Sequence, residues 1–244
     1  MILLELYFIR HGQSTNNVIL DENNDDYLFQ RSTDPELTPI GEEQARLVAE
    51  TLARPYTDNG FNPHNRAGFG LTHLYCSLMV RAVRTGLAIS EKTNLPLVAW
   101  PELHETGGIF DVEMIDGEPV FIGQPGPGRS FFTSQVPQLL IPDDLPEEGW
   151  YNREKEPREQ YILRAQAIID RLLAEHGGTD HRVGMVMHAG IFAHILTAFF
   201  NVQAEDYWFS MNNCSISRVD VLPEGKVKLK YSNKVDHFPD RLVT

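Results

Sequence analysis

Apolar residues along the chain fall into two alternating kinds of segment. Leu3 to Ile9 is an almost continuous apolar run, the pattern of a central strand buried on both faces. From Thr38 the spacing changes: Thr38 is placed to cap a helix, Pro39 to occupy its first position, and Ala45, Val48, Ala49 and Leu52 fall on one side until Pro55. A Gly/Asn/Pro-containing loop over 57–70 leads to a second strand, Leu71 to Cys76. Met79, Val80, Val83 and Leu87 mark the inner face of the helix that follows.

Later segments repeat the alternation. Glu156-Pro157 opens a helix with Ile162, Ala165, Ile169 and Leu172 at helical spacing, ended by Gly177-Gly178. Arg182 to Met187 is a strand, Ile191 to Phe200 a strongly apolar helix, and Ser215–Leu222 with Lys226–Tyr231 a closing hairpin around Pro223-Glu224-Gly225. This order predicts an α/β three-layer sandwich, with a mostly parallel central sheet and helices on both faces. In such a sheet, ligands gather at the carboxyl ends of the strands. The stretch 106–156 breaks the pattern: 13 of its 51 residues are Gly or Pro, against 20 of the other 193. It is expected to be a cap inserted into a single domain over 1–244, with the Gly-rich part at 123–130 as a mobile portion of that cap.

Composition narrows the possibilities. The 244 residues are 42% hydrophobic and 23% charged, near the globular average, so neither a disordered chain nor a membrane bundle fits. The 21 Lys+Arg against 34 Asp+Glu give a net charge of −13, which argues against nucleic acid or an anionic membrane as partner. Cys76 and Cys214 lie in or beside strands, as buried free thiols would. With the strand at 3–9 in place of a signal peptide, a cytoplasmic protein complete from Met1 is expected.

An acidic chain needs a local positive cluster to hold an anion, and the strand ends supply one. Arg10 and His11 follow the first strand, Ser77 and Arg81 the second, and His188 the one at 182–187. Two guanidiniums and two imidazoles facing one pocket suit a phosphoryl group, because arginine forks pair with its oxygens and imidazole can attack phosphorus or donate to oxygen. Helices beginning after Gly12 and Gly190 would add backbone N–H groups.

These residues resemble the signature of the histidine phosphatase superfamily, also called the phosphoglycerate mutase-like family. The similarity runs through Leu6–Asn17 (LYFIRHGQSTNN), Leu37-Thr38-Pro39-Ile40-Gly41 with Gln44-Ala45, Ser77–Ala82, Leu103-His104-Glu105 and His188-Ala189-Gly190. The resemblance implies a metal-independent phosphomonoester hydrolase without a cofactor. His11 would be the nucleophile, Arg10 and Arg81 would bind phosphate oxygens, and His188 would be a further donor as imidazolium. Glu105 would be the acid toward the leaving oxygen and then the base for water. Asn17 and Ala189 fall at substrate-binding positions.

Two other readings are a mutase that returns the phosphoryl group and a non-catalytic interaction module of the same fold. Mutases of the family follow their Leu-x-Glu element with Arg-His-Tyr-Gly, whereas Thr106-Gly107-Gly108-Ile109-Phe110 stands here, which favours hydrolysis. The full set of five reactive residues disfavours a mere binding module. The expected partner is a small phosphate ester, with the oligomeric state left open. His104 and Arg84 are expected at the rim or surface, and His194 in the core. Phe131, Phe132, Trp150 and Tyr151 are expected to pack elements together, and His64 and His73 show no metal-ligand spacing with each other or with Cys76.

Overall fold

The structure, a computed structural model, describes residues 4–22, 26–57, 62–202 and 209–244, so the expected strand is seen from Leu4 onward. In chain order the elements are β1 (Leu4–Arg10), α1 (Thr15–Asp21), α2 (Tyr27–Gln30), α3 (Pro39–Leu52), β2 (His73–Cys76), α4 (Val80–Thr93), β3 (Leu97–Ala99), β4 (Phe110–Ile115) and β5 (Glu118–Gly123). They continue as α5 (Arg129–Gln135), β6 (Leu139–Leu140), α6 (Arg158–His176), β7 (Arg182–Met187), α7 (Ala189–Phe200), β8 (Ile216–Val221) and β9 (Val227–Lys234).

Seven strands form one sheet in the order β6-β3-β2-β7-β1-β8-β9. The neighbours from β6 to β1 are parallel, and β8 and β9 add an antiparallel hairpin at one side. Strand alternation divides the core. Leu4, Leu6 and Phe8 of β1 pack with Ile168, Ile169 and Leu172 of α6 and with Ile191, Phe192 and Ile195 of α7. Tyr7 and Ile9 face the other way, onto Val48 and Leu52 of α3 and Val83 and Ile89 of α4. The α/β sandwich expected from the alternation is therefore present, and β1 is a central strand covered on both faces.

Three details differ from the periodicity. In α6 the buried stripe is Arg164, Ala165, Ile168, Ile169, Leu172 and His176, while Ile162 is exposed. The loss of Ile162 is made good by Arg164, an arginine that the core accepts because it is fully paired. The segment 106–156 divides in two. Strands β4 and β5 form a separate two-stranded hairpin, whereas β6 extends the main sheet beside β3, and Phe132, Val136, Leu139 and Leu145 join the core.

The glycines expected in a mobile stretch are instead closely packed: a Cβ on Gly123 would lie 2.0 Å from the carbonyl oxygen of Arg153, and one on Gly128 at 2.0 Å from that of Glu147. Glycine is used there for close approach of two backbones. Phe132 packs into the main core with Phe131 against it, and Trp150 and Tyr151 pack with Met79 and Ile109, so these aromatics do join elements. Cys76 and Cys214 are free and buried, and burial pushes both thiols up.

Candidate active site

The first loop is set by backbone contacts that explain a sequence element with no chemistry of its own. The N–H of Thr38 donates to the Gln13 carbonyl (2.9 Å), Thr38 Oγ1 caps α3 at Gly41 N (3.1 Å), and Gln44 Oε1 accepts the N–H of Gln13 (2.8 Å). Gly12 and Gly41 meet so closely that a Cβ on Gly12 would sit 2.4 Å from the Gly41 oxygen. Thr38, Gly41 and Gln44 therefore hold the Arg10–Gln13 turn, and with it the ring of His11.

His11 is buried, and its Nδ1 lies 2.7 Å from the carbonyl of Gly12. A proton on Nδ1 satisfies that carbonyl and leaves the lone pair on Nε2, to which Arg81 Nε donates at 3.2 Å. Burial, then the guanidiniums of Arg81 and Arg10, hold the His11 imidazole well below its usual range. Nε2 is thus unprotonated and turned toward a cation. The His11 carbonyl is clamped in turn by Asn213 Nδ2 (3.0 Å) and Cys214 N (3.2 Å).

His188 lies at the end of β7 as the residue before α7, with its ring centroid 5.0 Å from that of His11. Its Nε2 meets Ser77 Oγ at 3.0 Å, and its buried Nδ1 has no partner among the described residues. The expectation of an imidazolium is corrected here. Burial, followed by the charge of Arg81, lowers His188 well below its usual range, so the ring is neutral beside two guanidiniums.

Glu105 follows a short helical turn at Pro101–Leu103 and reaches the start of α7. Its Oε2 accepts from Gly190 N (3.1 Å), and its Oε1 from Ile191 N (3.0 Å) and Thr106 N (2.8 Å). Ala189, whose N–H opens the same helix, lines the pocket. Asn17 lines it too, and its Oδ1 accepts from Ser14 N (3.0 Å) and Asn213 Nδ2 (3.2 Å). Arg10 is tied to the Met211 carbonyl through Nη1 (2.6 Å), while its buried Nε has no partner among the described residues. All seven residues singled out in the sequence, namely Arg10, His11, Asn17, Arg81, Glu105, His188 and Ala189, stand around one region. Six of them line a cavity of about 330 Å³, and the ring of His188 lies beside that of His11.

Other participants were not visible in the sequence. Asp34, from the loop before α3, accepts the N–H of Val80 at the start of α4 (3.1 Å) and pairs with Arg81 Nη1 at 3.5 Å. Burial raises its carboxyl to about 6 despite the arginine. Arg31 adds a third guanidinium to the cavity lining, fixed by the Phe110 carbonyl (2.6 Å) and stacked over the Phe110 ring at 4.2 Å. Asn213 and Cys214 arrive from the far end of the chain. No local motif announces any of these four, because each is defined by a contact with a distant segment.

His104, expected at the rim, is fully buried. Its Nδ1 meets the Glu105 carbonyl at 2.8 Å, its Nε2 meets Arg153 at 2.9 Å, and its ring packs on Trp150 and Tyr151. Arg84 is at the surface beside Glu36, and His194 is half-buried against Tyr161.

An open α/β sheet gathers two guanidiniums, two neutral imidazoles and a carboxylate at its carboxyl edge, the chemistry of a site suited to an anion. Comparison with known proteins narrows this. Residues 6–113 and 139–234 match the profile of the histidine phosphatase superfamily (branch 1). The chain belongs to that superfamily, and it is a histidine phosphatase.

Among similar proteins, a Hydrogenobacter thermophilus protein provisionally named phosphoserine phosphatase 2 is 26% identical over 95% of this chain and 96% of its own. An Enterobacter protein provisionally named phosphoglycerate mutase GpmB is 24% identical over 89% of this chain and 85% of its own. Among solved structures, the mycobacterial glucosyl-3-phosphoglycerate phosphatase superposes with a TM-score of 0.59 at 19% identity, covering 95% of this chain and 99% of that one. The Entamoeba histolytica phosphoserine phosphatase solved with 3-phosphoglyceric acid superposes at 0.56 with 16% identity, covering 96% and 98%. At such identities these two structures speak for the fold alone. Among the described residues, no helix is long and apolar enough to cross a membrane.

Proposed function

We propose that this protein hydrolyses small phosphate monoesters in the cytoplasm, without a metal, through a phosphohistidine on Nε2 of His11. The observation that carries the reading is the direction of the His11 ring: Nδ1 is committed to the Gly12 carbonyl, and Nε2 is unprotonated and accepts from Arg81 Nε, a donor that a phosphoryl oxygen can take over as the lone pair turns to phosphorus. In the first step the Nε2–P bond forms as the P–O bond to the leaving group breaks, and Glu105 gives that oxygen its proton. In the second, Glu105 takes a proton from water, whose oxygen attacks phosphorus and frees His11.

Arg10, Arg81, the amide of Asn17, the N–H of Ala189 and Nδ1 of His188 are the donors for the phosphoryl oxygens. A phosphoryl dianion would supply the negative charge that these crowded cations lack, and would favour protonation of His188 on binding.

Arg31 points to the substrate class. It is a third guanidinium in the cavity, fixed by the Phe110 carbonyl, and it suits a second anionic group such as the carboxylate of a phosphorylated hydroxy or amino acid. This agrees with the phosphoserine and glycerate names among the relatives. Strands β4 and β5, which begin at Phe110, are on this reading a cap over the pocket within one domain. Hydrolysis rather than mutase transfer is favoured by the Thr106–Gly108 segment, where Thr106 lines the cavity in place of the mutase segment's arginine and Gly107 and Gly108, at positive φ (84° and 74°), replace its histidine and tyrosine.

The test is phosphate release from para-nitrophenyl phosphate and a panel of serine, glycerate, sugar and nucleotide esters, with EDTA present, for wild type beside His11→Ala. Release that survives EDTA and falls about 10⁴-fold or more in His11→Ala is expected. Transfer of phosphate between substrate carbons without release would establish the mutase instead, and no reaction with any ester would leave a binding module.

A further inference from the structure

At the opposite edge of the sheet from the active site, three histidines from different segments converge. His73 begins β2, His176 ends α6, and His181 stands immediately before β7. One ring nitrogen from each lies within 4.8 Å of the other two. The rings are close-packed, with centroids 4.3 Å apart for His73 and His181 and 4.7 Å for His73 and His176. Strand β7 runs from beside His181 to beside His188, so six residues at about 3.3 Å each separate the cluster from the catalytic pocket by about 20 Å.

The surrounding hydrogen bonds fix which nitrogens are bare. Tyr75 OH lies 3.1 Å from Nε2 of His176, and a proton on that nitrogen leaves Nδ1 as an acceptor. That Nδ1 faces Nδ1 of His181 at 3.0 Å. Two imidazole nitrogens in this position need either a proton or a cation between them. Thr72 Oγ1 lies 2.9 Å from Nδ1 of His73 and 3.2 Å from the Arg182 carbonyl. If the hydroxyl proton goes to the carbonyl, Nδ1–H of His73 donates to the hydroxyl and Nε2 of His73 is bare.

Two of the three rings thus carry an oxygen partner on the nitrogen turned away from the cluster, which is how metal-binding histidines are oriented. Glu175 is the acidic neighbour, 3.9 Å from Nε2 of His176 and itself paired with Arg171. We propose that His73, His176 and His181 bind one borderline transition-metal ion of the Zn²⁺ type, with water as fourth ligand.

Imidazole donors select Zn²⁺, Cu²⁺, Ni²⁺ or Co²⁺ over Mg²⁺ and Ca²⁺. Tetrahedral zinc, with Zn–N of about 2.0–2.1 Å, sets its nitrogens about 3.4 Å apart. The present spacing brackets that value, and the partly exposed rings of His73 and His181 have room to adjust. Such an ion would tie the start of β2, the end of α6 and the start of β7 together, so its binding would add to the stability of the fold. It would take no part in the hydrolysis proposed above.

The test uses the untagged, full chain stripped with EDTA and then titrated with Co²⁺ as a visible probe and with Zn²⁺. One Co²⁺ per chain with the strong visible bands of tetrahedral coordination is expected, along with a rise in Tm on adding Zn²⁺. Both effects should vanish in His73→Ala and in His181→Ala, persist in His11→Ala and His64→Ala, and leave hydrolysis of para-nitrophenyl phosphate unchanged in the two cluster variants. Failure to bind either ion, or binding that survives both cluster substitutions, overturns the proposal. Binding that disappears in His11→Ala also overturns it, because the ion would then belong to the catalytic pocket.

Discussion

Oε2 of Glu105 accepts the backbone N–H of Gly190 at 3.1 Å, which seats the carboxylate on the positive end of the helix that follows His188. Glu105 and His188 are thereby registered against each other through one helix terminus. If Glu105 protonates the leaving oxygen, Glu105→Ala should slow a serine or glycerate phosphate about 10²–10⁴-fold and para-nitrophenyl phosphate far less, since nitrophenolate leaves without a proton. Equal losses on both esters would remove Glu105 from the acid role.

The same contact makes Gly190 a sensitive position. A Cβ there would sit 2.3 Å from Oε1 of Glu105 and 2.5 Å from Oγ1 of Thr106. Alanine favours helix over glycine by up to about 1 kcal/mol, so Gly190→Ala should not unfold α7. It should displace the carboxylate and give the leaving-group signature of Glu105→Ala in a chain whose Tm is unchanged or higher. A variant with wild-type rates on alkyl esters would show that this seating of Glu105 is dispensable.

Asp34 predicts a pH dependence of stability. Its carboxyl is raised from 3.8 to about 6 by burial, the effect of the nearby Arg81 being smaller. Between those values the unfolded chain has lost the proton and the folded chain still holds it, so the folded state binds more protons and stability falls as pH rises. At 1.36 kcal/mol per pKa unit the fall is about 3 kcal/mol, complete above pH 6. A carboxamide in its place has no proton to lose over this range. Asp34→Asn should therefore gain on wild type by roughly that amount between pH 4 and pH 6.5 in urea unfolding, and a difference independent of pH would refute the assignment.

Periodicity and capping made most of the fold legible. Strand β1, helix α3 with its Thr38 cap, strand β7 and the closing hairpin lie where the pattern of apolar positions puts them. Strands β3 and β6 were not legible, being three and two residues long and held by their neighbours in the sheet. The residues that gather at the pocket were legible because Arg10, His11 and His188 stand at strand ends and Arg81 opens the helix after β2. Their supports were not: Asp34, Arg31 and Asn213 act across the fold, and the charge state of His188 depends on burial that no local window encodes. His104 misled for the same reason, since an exposed-looking histidine is buried once Arg153 and the aromatic pair Trp150 and Tyr151 close around it.

If Arg31 binds a second anionic group of the substrate, its removal separates binding from chemistry. Arg31 lines the cavity without contacting His11, and its guanidinium is fixed by Phe110. Arg31→Ala should raise KM for phosphoserine or phosphoglycerate about tenfold or more, as loss of a charge-assisted contact implies, while leaving para-nitrophenyl phosphate within about twofold. A uniform loss on carboxylated and uncarboxylated esters would place Arg31 in the phosphate site.

The position of Glu105 rests finally on a buried ion pair. Arg164 of α6 forms a two-pronged pair with Glu156, Nε to Oε1 at 2.8 Å and Nη2 to Oε2 at 2.6 Å, and its Nη1 donates to the carbonyls of Glu102 (2.6 Å) and His104 (2.8 Å). It thus joins the residues just before Glu105 to the entry of α6. Lysine keeps the charge but cannot form the fork and reach both carbonyls together. Removing one partner of a buried pair costs about 3–5 kcal/mol, because the other charge is stranded. Glu156→Gln should approach that figure in urea unfolding. Arg164→Lys should lose less stability, yet carry a loss of activity on alkyl esters through the loosened Glu105 segment. If Arg164→Lys lowers stability but leaves the ratio of alkyl to aryl ester rates at its wild-type value, the pair holds the fold alone and does not position the acid.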